Sequence, residues 1–180
     1  MDSEEYWKTF SVYDERFWER FIADRKANIL GAAMFSRGSK TLETSGRQLM
    51  DKLRQELSLS PEEIIAAHTI EHAGLSNDLA RDPGTSSGLA GWLASWTQLV
   101  QEVEGRYYYE APEYEFDLVV RDFLETVMDS VSSLREKLTP IAGPWDERFR
   151  SATRPAVAGE VEARGTDWWW SRYPKIPMTP

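Results

Sequence analysis

The chain has 180 residues, eight Trp, seven Tyr, seven Phe and no Cys. That length can bury roughly 70% of its unfolded surface in one folded domain, and the missing cysteines exclude disulfide frameworks, thiolate metal sites and cysteine nucleophiles. A net charge of −9 with a pI near 4.8 opposes binding to a phosphate backbone, because such binding gains its affinity from Lys and Arg.

No apolar run reaches the ~18–20 residues of a membrane span. The opening Met1-Asp2-Ser3-Glu4-Glu5 is acidic where a targeting peptide would be basic, so a cytoplasmic protein is expected. Residues 2–30 read as amphipathic helix. Tyr6, Trp7, Phe10, Tyr13, Phe17, Trp18, Phe21, Ile22 and Ile29 recur at three- and four-residue steps, with a break expected near Ser11 to Tyr13. Gly38 between Ser36 and Ser39 marks a turn. Thr44 or Ser45 then opens a helix carrying Leu49, Met50, Leu53 and Leu57.

Ser60-Pro61-Glu62-Glu63 predicts a helix start, with Ser as N-cap, Pro in the first helical position and acids in the first turn. Ile64, Ile65, Ala67 and Ile70 carry that helix through two histidines, with Gly74 and Asn77 as the options for its C-terminus. The Arg81 to Gly88 run, rich in Pro, Gly and Ser, is a connection. A helix from about Leu89 to Val103 follows, with Trp92, Leu93, Trp96, Leu99 and Val100 on one face.

Gly105 to Glu110 is short and aromatic, which suits a strand that Pro112 would end. Helical period returns from Phe116 to Leu138, and Thr139-Pro140 and Gly143-Pro144 are expected to stop it. Val157, Gly159, Val161 and Ala163 alternate with charged residues, and Gly165-Thr166-Asp167 could turn the chain into Trp168-Trp169-Trp170 as a hairpin. The fold expected is helix-dominated α+β, with four or five amphipathic helices and a small late antiparallel sheet. All-α with an extended C-terminal strap is the alternative. One domain is expected over residues 1–180, with 173–180 as a tail packed on the body.

The two histidines lie in His68-Thr69-Ile70-Glu71-His72. On a helix this spacing brings two imidazoles and a carboxylate to one face, where His68 and His72 could bind Zn²⁺ and Glu71 could deprotonate a bound water. The run resembles the H-x-x-E-H motif of the inverted zinc peptidases and, more closely, the H-T-L-E-H run of the S-ribosylhomocysteine lyases. The resemblance spans five residues. The peptidase likeness implies a downstream glutamate as third ligand, for which Glu147, Glu104 and Glu110 are candidates, whereas the lyases use a cysteine that this chain lacks. A half-buried histidine bonded to a carbonyl, followed by one near the helix end, is the structural alternative.

Di-iron carboxylate bundles need Glu-x-x-His steps, and no glutamate here precedes a histidine by three. Phosphate loops and nucleophile elbows are absent as well. Trp168, Trp169, Trp170, Tyr107 and Tyr109 are the candidate binding aromatics, either in a packed sheet or on an open platform. The function expected is that of an acidic binding protein, such as an inhibitor, immunity factor or accessory subunit, acting on another protein through an aromatic-rich surface or pocket. A metal-dependent hydrolase or lyase built on the histidine pair, and an enzyme or sensor enclosing an apolar small molecule, are the alternatives. No cofactor beyond a possible zinc ion is implied.

Overall fold

The computed structural model describes residues 2, 3, 5, 57–74, 88–105, 107, 111–161 and 166–176. The expectations for residues 6–56 and for the 81–87 connection lie outside the described residues. Contacts divide the chain into two compact units, residues 1–94 and 95–180.

In the first unit Leu57 and Leu59 are buried while Ser58 and Ser60 face solvent, the alternation of an extended segment. The backbone N–H of Leu59 donates to the Ser3 hydroxyl at 3.0 Å. Helix α1, Pro61–Gly74, then starts where its cap requires. The Glu63 N–H donates to Ser60 Oγ at 3.3 Å, and the Ser60 N–H donates back to Glu63 Oε2 at 2.6 Å. Two orphan donors of the first turn are thereby satisfied reciprocally, and Leu59 and Ile64, both buried, occupy the staple positions on either side. Helix α2, Gly88–Gly105, crosses from the first unit into the second. Its Leu89, Trp92 and Leu93 are buried in the first stretch, and Trp96, Leu99, Val100 and Val103 in the second.

The second unit contains a helical hairpin, α3 (Ala111–Ser130) and α4 (Ser132–Ala152). The uninterrupted helix expected from Phe116 to Leu138 is instead broken at Val131, whose φ of −144° and ψ of 123° are extended. The serines around it explain the site of the break. Serine hydroxyls can bond to nearby backbone and compete with the helical ladder, and Ser130 Oγ donates to the Val127 carbonyl at 2.6 Å. The expected stop at the prolines is also corrected, because α4 runs through Pro140 and Pro144. Both prolines are solvent-facing and four residues apart, so the carbonyls they leave without an N–H lie on the side that water can reach. On the other side Leu134, Leu138, Ile141, Ala142 and Phe149 keep the apolar period unbroken past both of them.

The small late antiparallel sheet is present. Strand β1, Thr153–Pro155, pairs with β2, Arg172–Pro174, in the register Thr153↔Pro174, Arg154↔Tyr173 and Pro155↔Arg172. Its parts differ from the hairpin read in the sequence. The 157–161 stretch turns instead of extending, with Glu160 N–H bonded to the Val157 carbonyl at 3.1 Å and Gly159 at φ +88°, a conformation that suits glycine. Trp168–Ser171 is a 3₁₀ turn and not a strand. Among residues 105–110, Gly105 ends α2 and Tyr107 is irregular.

The C-terminal segment has a definite task. The last carbonyls of α4 would be orphaned at its end. That of Phe149 accepts from the Thr153 N–H and hydroxyl, that of Arg150 from Arg172 Nη2, that of Ser151 from Lys175 Nζ and that of Ala152 from the Lys175 N–H. Arg172 and Lys175 also place positive charge at the negative end of the helix. Tyr173 is half-buried and Pro174 buried, whereas Lys175 and Ile176 are exposed, and the rest of the expected 173–180 tail lies outside the described residues. Among the described residues no helix is long and apolar enough to cross a membrane.

Candidate functional site

The side chains that carry charge and hydrogen-bonding capacity in the second unit converge between α3, α4 and the 3₁₀ turn. Arg121, on the inner face of α3, meets Asp146 of α4 with both arms of its guanidinium. Nε donates to Oδ1 at 3.1 Å and Nη2 to Oδ2 at 3.0 Å. Trp96 adds an indole N–H to Asp146 Oδ1 at 2.9 Å. The remaining arm of Arg121 reaches Glu125 Oε2 at 2.8 Å, and Glu125 Oε1 accepts from Arg135 at 2.6 Å. Burial works against the Arg121 charge, but the bonds and charge of Asp146 and then of Glu125 outweigh it and hold the guanidinium protonated above its usual value. Burial likewise opposes ionisation of Glu125, yet Arg135 and Arg121 together bring its carboxyl below the usual range. Each charge here is answered by another, so the cluster acts as a clamp between the two helices.

A second carboxylate one residue along α3 has a different setting. Asp122 Oδ1 accepts the indole N–H of Trp169 at 2.7 Å and that of Trp170 at 2.9 Å. Both rings are buried, 1% and 3% exposed, and the Trp169 ring lies beneath Arg121 at 4.6 Å from centroid to guanidinium carbon. Burial raises Asp122 above the usual carboxylate value. The two indole bonds and Arg121 oppose that rise, and the charge of Asp167 adds to it.

The candidate binding aromatics are therefore distributed unevenly. Trp169, Trp170 and Tyr107 are buried in the interior of the second unit, and Trp168 is half-buried with the Arg150 guanidinium stacked on its ring at 3.6 Å. Tyr107 donates its hydroxyl to Asp117 Oδ2 at 2.7 Å and meets Tyr114 edge-on at 5.4 Å. The Tyr114 hydroxyl donates to the Arg172 carbonyl at 3.1 Å, and burial pushes its ionisation far above the usual tyrosine range. Trp96, Phe149, Trp168 and Trp169 continue the packing at centroid separations of 4.8, 6.0 and 5.7 Å. Tyr109 lies outside the described residues.

His68, Glu71 and His72 all fall within α1, so the helix that their spacing requires is present, but their side chains lie outside the described residues. Of the carboxylates considered as a third ligand, Glu104 is held by Arg148 at 2.7 Å and Glu147 by Arg150 at 2.5 Å. Glu110 lies outside the described residues. Among the described residues no group of three or more metal-ligating side chains is placed to hold an ion.

Arg121, Asp146 and Asp122 were not singled out from the sequence. Their one local signal is the i,i+4 step from Arg121 to Glu125, which any solvated helix face carries as often. Comparison with protein-family models, with curated proteins and with solved structures finds no match.

Proposed function

We propose that this chain is an acidic binding protein of the inhibitor or accessory-subunit kind, whose activity is the occlusion of a protein partner. The observation that carries the reading is on α3. Its inner face buries Tyr114, Leu118, Leu124, Val127 and Met128. Its opposite face is again apolar, with Phe116 41% exposed and Val119 and Val120 half-buried beside it. A surface helix ordinarily turns polar residues outward, so apolar side chains at i, i+3 and i+4 on the outer face favour a contact surface. Exposed Glu113 lies one turn before Phe116, and the chain carries a net charge of −9. The partner that fits is a protein presenting an apolar segment flanked by Lys and Arg.

The test compares the purified chain with a Phe116→Glu/Val120→Glu variant whose circular dichroism matches it. The wild type should retain one basic protein in stoichiometric amount, and the variant should lose it. Self-association lost with the same substitutions would assign the face to a second copy and overturn the heteromeric reading. The second reading is a metal-dependent hydrolase or lyase using His68, Glu71 and His72, and the helical conformation of α1 favours it. Native mass spectrometry with elemental analysis separates the two. A stoichiometric zinc ion lost in His68→Ala would support the enzyme, whereas less than about a tenth of an equivalent would dispose of it.

A further inference from the structure

We draw no further inference here: the strongest candidate, the apolar tip around Val157 on the turn that Arg154 and Glu160 hold closed after β1, is an exposed patch, and nothing in the structure shows what covers it.

Discussion

Asp146 and Asp122 stand on the two helices of one hairpin and both accept tryptophan N–H bonds, yet the Arg121 guanidinium is bonded to Asp146 alone of the two. At Asp146 the charge is answered in the interior, and the pair has meaning only while both partners remain. At Asp122 the two indole bonds favour the ionised form, but burial works against it more strongly, and among the described residues no cation is bonded to the carboxylate in compensation. The same residue type on the same kind of donor is thus paired with a buried cation in one place and left without a bonded cation in the other. What separates them is where the buried Arg121 guanidinium points.

The largest effect is expected from splitting the clamp. Arg121→Leu leaves Asp146 buried without its cation and should cost about 3–5 kcal/mol in urea unfolding. Adding Asp146→Asn, which keeps an acceptor for Trp96, should restore most of that loss. A double variant as unstable as the single one would mean that shape, and not charge, holds this end together. Truncation after Ser171 comes next. It removes β2 and the donors on the Arg150, Ser151 and Ala152 carbonyls, and should lower stability by roughly 3 kcal/mol. A truncated chain that melts like the whole one would show that water caps α4 equally well.

Ser60→Ala lies in the other unit and should cost about 1 kcal/mol through its capping box, as read by the same unfolding curves. The smallest effect is expected at Glu160. Arg154 and the Val157 N–H hold its carboxyl down to about 2, so their contribution is complete above the ordinary carboxylate value and fades as pH falls towards 2. Amide exchange at residues 157–160 should quicken there, and Glu160→Gln should remove the dependence.

These contrasts were only partly legible in the sequence. The Ser60 cap and the helical course of α1 and α2 were readable because cap chemistry and helical period are local. The break at Val131 and the passage of α4 through Pro140 and Pro144 were not. Local propensity argued for a stop at the prolines, and the apolar face continuing to Phe149 overrode it. The three consecutive tryptophans announced burial, which Trp169 and Trp170 show. Their acceptor could not be named, because Asp122 is more than forty residues away in sequence and resembles any helical aspartate. Pairing of β1 with β2, and the use of Arg172 and Lys175 as a helix cap, are likewise long-range facts that no spacing encodes.

The most direct test is the unfolding free energy of Asp146→Asn beside that of Asp122→Asn at pH 7. Each substitution removes one negative charge and keeps one acceptor oxygen for tryptophan. Asp146→Asn should lose about 3–5 kcal/mol by stranding Arg121, while Asp122→Asn should lose nothing measurable or gain slightly. Equal losses at the two positions would contradict the distinction between a carboxylate paired with a buried guanidinium and one held by indole N–H groups alone.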